Sequence, residues 1–211
     1  MRTFLHVGCG PGRKGPKTPG FDEPGWNEIR LDIDPSVSPD LIGTITDLSA
    51  VEPGSVDAVY SSHNIEHLYP HEVPLALAEF KRVLSAEGFV SITCPDLLAV
   101  AQFIATRGLG ETAYVSGMGP ITPVDILFGH RESMRKGNLY MAHRTGFSAK
   151  TLLEALQEAG FGKIAVVSRP SQFVLWAVAT KAGCDDETIT ELARRHIPGF
   201  TGEVRSAAGQ G

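Results

Sequence analysis

The chain has 211 residues, 42% of them apolar and 20% charged, which suits one well-buried core and argues against disorder. A formal charge of −5 argues against a nucleic-acid or membrane-surface binder, which needs a basic excess, and no apolar run approaches the length of a membrane span. The three cysteines, Cys9, Cys94 and Cys184, make no Cys-x-x-Cys pair, so neither a disulfide framework nor a cysteine zinc site is expected and a cytoplasmic setting follows.

Residues 3–7 read as a short buried strand that runs into Gly8-Cys9-Gly10-Pro11-Gly12. Glycines at alternate positions after a strand make a tight turn against which a ligand can lie on bare backbone N–H groups. The stretch 11–25 is rich in Gly, Pro and Lys and reads as a long loop. Alternation of apolar and polar residues predicts a strand from Glu28 to Asp34, stopped by Pro35. A weaker strand is expected over 40–45 and a further one over 56–60. Apolar spacing predicts a helix over 71–84, with Leu77, Phe80 and Leu84 on its inner face and Pro74 in its first turn.

A strand at 89–94, stopped by Pro95, and a helix at 97–106 follow. The segment 107–146 has little periodicity and many Gly and Pro, and reads as an insertion that caps a substrate site. Ser148 is suited to cap a helix that ends near Gly160. Two strands at 163–168 and 173–180 are placed to pair antiparallel, and a last helix spans 186–196. Residues 198–211 read as a flexible tail after a single domain over 1–197.

Strands alternating with helices imply an α/β fold: a doubly wound, mostly parallel sheet with an antiparallel C-terminal strand. Ligands in such sheets bind at the carboxyl ends of the strands. Those ends carry the glycine turn, then Asp32, then Asp47, then Ser61-Ser62-His63-Asn64. Each aspartate alone could be a turn residue, but together they mark one edge of one sheet.

Four blocks in this order resemble a known family: His-Val-Gly-Cys-Gly-Pro-Gly; Leu-Asp-Ile-Asp-Pro; Ser-Val-Asp-Ala-Val-Tyr-Ser-Ser-His-Asn-Ile-Glu-His-Leu; and Phe-Lys-Arg-Val-Leu-Ser-Ala-Glu-Gly-Phe-Val-Ser-Ile-Thr-Cys-Pro-Asp-Leu. They are similar to the class I S-adenosylmethionine-dependent methyltransferases, among the small enzymes with Glu-His-Leu after the fourth strand. The resemblance covers residues 1–100 and, more loosely, the stretch through Phe161. It implies that S-adenosylmethionine is the cofactor, with His6, Gly8, Cys9 and Gly10 around its methionine part. Asp32 would bind the ribose, Ile33 would pack on the adenine, Asp47 and Leu48 would read the adenine edge, and Ser62 and His63 would line the methyl group.

Two departures from the family pattern stand out. His6 replaces the usual acidic residue, and the helix expected after the glycine turn is missing, so that loop is expected to order on binding. His63 is the first candidate for a general base, with His130 and His143 as further ones. The reaction expected is methyl transfer to a small and, from the arginines and lysines of 107–146, acidic acceptor. The Asn/Asp-Pro-Pro-Tyr segment of amino-group enzymes is absent, which disfavours adenine and glutamine amides.

Three other readings compete. One is a module that holds the cofactor or its demethylated product without catalysis. Another is a zinc hydrolase built on His63-Asn64-Ile65-Glu66-His67, which matches His-x-x-Glu-His, but Tyr69-Pro70 leaves too little helix, so no metal is expected. The third is a dinucleotide- or nucleotide-sugar-dependent enzyme, against which the glycines do not follow Gly-x-Gly-x-x-Gly. Acceptor and oligomeric state are not legible.

Overall fold

A computed structural model describes residues 1–204. Seven strands form one sheet in the order β3-β2-β1-β4-β5-β9-β8. They are β1 (Arg2–Val7), β2 (Trp26–Asp32), β3 (Leu41–Ile42), β4 (Val56–Ser62), β5 (Leu84–Pro95), β8 (Ile164–Arg169) and β9 (Val174–Thr180). The first five run parallel, whereas β9 pairs antiparallel with both β5 and β8. This is the doubly wound sheet with a reversed C-terminal strand that the sequence predicts. The helices are α1 (Val73–Val83), α2 (Leu97–Arg107), α3 (Pro123–Phe128), α4 (Arg131–Arg135), α5 (Ala149–Glu158) and α6 (Asp186–His196), and a hairpin of β6 (Tyr114–Ser116) and β7 (Gly119–Ile121) precedes α3.

Several boundaries differ from the pattern-based expectation for physical reasons. The helix over 71–84 ends at Val83, and Leu84 already belongs to β5, whose pairing with β4 shifts register between Val56 and Ala58. The strand expected at 40–45 shrinks to two residues, because the chain turns away once Gly43 N–H has bonded the Asp32 carbonyl. The insertion at 107–146 is built from the hairpin, α3 and α4, around a small cluster of Ala99, Val100, Ile121, Ile126 and Phe173. The segment expected as a flexible tail divides. Over 198–204 it lies back on α6, where Val204 N–H donates to Thr190 Oγ1 at 2.9 Å; 205–211 lie outside the described residues.

One sheet face follows the usual logic. Leu5, Val7, Val59, Val90 and Ile92 point towards Leu77 and Phe80 of α1 and Leu152 and Leu156 of α5, in the largest apolar cluster. The other face lacks the helix that would follow β1. Its cover comes from both ends of the described chain. Phe21, from the loop after the glycine turn, stacks on Phe4 and packs against Tyr60 and Phe89. His196, at the end of α6, lies 4.5 Å from the Phe21 ring, with its Nδ1 3.0 Å from the Pro19 carbonyl. Gly20 has φ +77°, and a Cβ there would fall 2.6 Å from that imidazole nitrogen, so the loop passes α6 with room for no side chain.

Burial therefore holds His196 neutral. It depresses the imidazole pKa from 6.5 to about 4, the Pro19 carbonyl offsetting only part of the effect. The unfolded chain takes up this proton near pH 6.5 and the folded one only near 4. Stability should hold above pH 6.5 and fall as pH drops through this window, by roughly 3 kcal/mol in total at 1.36 kcal/mol per unit. Urea denaturation at pH 7.5 and 4.5 measures the loss, and His196→Gln should flatten the dependence. An equal acid loss in that variant would refute the assignment.

Candidate functional site

The carboxyl ends of β1, β2 and β4 open onto a cavity of about 380 Å³, within the range of small-ligand sites. Gly8, Gly10, Asp32 and Ile33 form one wall, His63, Asn64 and His67 another, and Asn138, Tyr140, Met141 and Arg144 of the insertion close the far side. Four of the residues picked out from the sequence thus meet Asp32 here: Gly8, Gly10, Ile33 and His63.

The glycine turn adopts a backbone that other residues resist. Gly8 and Gly10 have φ of +61° and +56°, and a Cβ at Gly8 would stand 2.6 Å from the Asn64 side chain. Asp32 accepts the Gly10 N–H at 2.8 Å and the Asp34 N–H at 2.9 Å. Its carboxylate thus ties the glycine turn to the end of β2 while its cavity side stays open to a ligand.

The support beneath this turn is a polar stripe that sequence reading missed. Glu28, Arg30 and Asp32 share one face of β2 because strand side chains alternate. Arg30, 2% exposed, donates from its guanidinium to the carbonyls of Gly10, Gly12, Val37 and Ser38. Glu28 accepts from Lys14 N–H at 2.9 Å and pairs with His6 at 2.8 Å. In most doubly wound sheets this face would be apolar and covered by a helix. Here a polar stripe and the absent helix are one fact. The loop expected to order only on binding is anchored, with Thr18 buried and the Lys17 carbonyl bonded by Tyr60 Oη at 2.8 Å.

Other expected site residues lie elsewhere. His6 and Cys9 are buried behind the cavity, and burial holds the His6 imidazole below its ordinary pKa despite Glu28. Asp47 is exposed and accepts from Ser49 N–H, and Leu48 is in the core; Gly43, Thr44 and Ile45 line the cavity in their place. Ser62 does not line it. His130 caps α4, bonded to Ser133. The cationic excess of the insertion is largely paired within it, Arg131 to Asp125 and Arg135 and Lys136 to Glu132. Arg144 is the insertion's cavity-lining cation, resting on the Tyr69 ring at 4.9 Å.

The β4 end forms the floor. His63, at φ +47°, lines the cavity with half its side chain exposed. Its Nδ1 is 3.3 Å from Glu66 Oε1, at ion-pair distance but outside hydrogen-bond geometry. Burial pulls the His63 pKa down, and the Glu66 carboxylate more than offsets this, leaving it above its ordinary value. His67 lines the floor, and His143 stands against it with ring centroids 4.8 Å apart.

Residues 5–92 match the family model described as a methyltransferase domain. No curated protein matches the sequence. Among solved structures, a methyltransferase from Thermotoga maritima described as S-adenosylmethionine-dependent and a possible histamine N-methyltransferase aligns at TM-score 0.51 and 17% identity, over 86% of this chain and 83% of that one. An S-adenosylmethionine-dependent methyltransferase from Methanosarcina mazei aligns at TM-score 0.52 and 15% identity, over 86% and 93%. The 1,6-didemethyltoxoflavin-N1-methyltransferase of Burkholderia thailandensis, solved with that substrate and S-adenosylhomocysteine bound, aligns at 0.52 and 17%, over 85% and 71%. At these identities the structural matches establish the fold alone.

Proposed function

We propose that the chain is a class I S-adenosylmethionine-dependent methyltransferase, as the methyltransferase-domain match over residues 5–92 supports, and that it transfers the cofactor's methyl group to a small molecule held between the β4 end and the insertion. The observation that carries the reading is the glycine turn, open to the cavity and tied to Asp32. A side chain at Gly8 would fill the space taken by Asn64, while Gly10 has nothing within 4 Å of where a Cβ would stand. This is a cradle made for close approach of a ligand to backbone.

In this reading Gly8 and Gly10 hold the methionine part, Asp32 takes the ribose hydroxyls, and Thr44 with Ile45 meets the adenine in place of Asp47 and Leu48. S-adenosylmethionine supplies a methyl group already activated on sulfur. The residues around it need only orient the acceptor and keep water out. His63 is the group placed to take a proton where the acceptor loses one, and Arg144 offers a cation to an acidic acceptor. The thiols Cys9, Cys94 and Cys184, all free, accord with a cytoplasmic enzyme. Among the described residues no helix is long and apolar enough to cross a membrane.

Calorimetric titration with S-adenosylmethionine and S-adenosylhomocysteine, with NAD as a control, tests the reading. Micromolar binding of both adenosyl ligands is expected, weakened at least about tenfold in Asp32→Ala, the loss of one or two charge-assisted hydrogen bonds. Binding of NAD alone, or of no adenosyl ligand, would overturn it. Binding without turnover across an acceptor screen would favour the non-catalytic module.

A further inference from the structure

The floor of the cavity holds a cluster that the methyl-transfer reading leaves unused. Glu66, His67 and His143 each bring one potential ligand atom within 4.8 Å of the others. We propose that these three residues form a binding site for a divalent transition-metal ion of the zinc type, beside the cavity where His67 lines it.

Three observations support a built site. Glu66 is 1% exposed, and among the described residues neither carboxylate oxygen has a hydrogen-bond partner. A buried carboxylate without a hydrogen-bond partner is costly, and half-exposed His63 meets it only as an ion pair at 3.3 Å. Secondly, both imidazoles are oriented alike. His67 Nδ1 lies 3.1 Å from the Ala142 carbonyl, and His143 Nδ1 lies 2.8 Å from the Ile126 carbonyl. A carbonyl can only accept, so each Nδ1 carries the hydrogen and each Nε2 keeps its lone pair. That is how metal-ligating histidines are commonly held, the second nitrogen fixed by a backbone oxygen.

Thirdly, the two segments that supply the ligands are stapled together. Arg144 N–H and Thr145 N–H both donate to the Glu66 carbonyl, at 2.8 and 3.1 Å, and the Arg144 guanidinium donates to the His67 carbonyl at 3.0 Å. His143 is thereby fixed beside residues far from it in sequence.

The donor set selects the ion. Two imidazole nitrogens and one carboxylate oxygen suit zinc or a neighbouring transition metal, and leave a position open for a further ligand. Magnesium and calcium prefer all-oxygen sites. Ligand atoms about 2.0–2.2 Å from zinc stand roughly 3.3–3.6 Å apart, so the widest pair of the cluster, within 4.8 Å, needs to draw in by up to roughly 1.2–1.5 Å. His-x-x-Glu-His thus takes a metal with a different division of labour from a helical hydrolase motif. Its Glu and second His are ligands, the third ligand comes from the insertion, and the turn at Ile65–His67 is a single turn of 3-10 helix. If the methyl-transfer reading holds, an ion here sits at the acceptor end, where His67 reaches the cavity wall.

The test uses untagged full-length protein, stripped with chelator and dialysed. It is titrated with Zn²⁺ by calorimetry and with Co²⁺ by visible absorption. One ion per chain is expected, with Co²⁺ bands of a low-coordinate nitrogen–oxygen site. Glu66→Gln and His143→Ala should each weaken binding at least about a hundredfold, since losing even an outer partner of a ligand costs 10–100-fold. His71→Ala, at an exposed histidine outside the cluster, should leave it unchanged. Absence of stoichiometric binding by the wild type, or affinity retained in both variants, would overturn the site. S-adenosylhomocysteine titrated into the stripped protein reports separately on the cofactor reading, so the two can fail independently.

Discussion

Gly8→Ala is expected to weaken binding of S-adenosylmethionine and S-adenosylhomocysteine at least about a hundredfold while leaving the sheet intact. Two costs combine. An alanine forced to φ +61° meets the steric penalty of the left-handed region, roughly 1–2 kcal/mol. Its Cβ would also stand 2.6 Å from Asn64, so either that side chain or the turn must move, and each lines the cavity. About 2.7 kcal/mol in total corresponds to a hundredfold. Gly12→Ala is the matched control. It has open space around its Cβ position and should bind normally. Calorimetry on both variants, with circular dichroism to confirm the fold, distinguishes a loss specific to the turn from a general one. Equal affinity in Gly8→Ala would mean that the ligand does not use this turn.

Phe21→Ala carries the largest expected loss of stability, about 3–5 kcal/mol, as for other fully buried aromatic truncations. The ring is 0% exposed, and its centroid lies 4.4 Å from Phe4, 4.5 Å from His196 and 5.0 Å from Trp26. No other side chain of its loop joins this cluster, so little can collapse into the space. The midpoint of urea unfolding should fall with an unchanged slope. Binding of adenosyl ligands should weaken too, because the stretch between Gly12 and Phe21 loses its apolar contact with the sheet and keeps only polar anchors such as the Lys17 carbonyl on Tyr60. A change below about 1 kcal/mol would show that α6 covers this face without the loop.

Much of this architecture is legible in the amino-acid order because its signals are local. Ser148 does cap α5, with Thr151 completing the capping box. The last helix spans the 186–196 expected from the sequence, and strands β8 and β9 pair as read. Gly8, Gly10, Asp32 and His63 come together because strand ends of a parallel sheet share an edge. What escaped depends on partners distant in sequence. Thr44 and Ile45 line the cavity where Asp47 and Leu48 do not, because a two-residue β3 turns the chain early, which no periodicity records. Arg30 reads as an ordinary polar residue of an alternating strand until the missing helix exposes its face to the glycine turn. His143 has no local feature that ties it to His67. The bond between them is the Arg144 and Thr145 amides on the Glu66 carbonyl.

The apposition of Phe21 with His196 also sets an order of assembly. A nascent chain emerges with β1, the glycine turn and its loop first, yet the surface that receives Phe21 includes Phe89 of β5 and the end of α6. Until residue 196 has followed, the loop has only part of its seat, and the Phe21 side chain after the glycine turn stays partly in water. Synthesis thus passes the glycine turn at residues 8–12 and completes the seat of its loop only with residue 196. Synthesis that stalls before α6 leaves a chain with all seven strands of the sheet and a loop after the glycine turn that lacks its full seat.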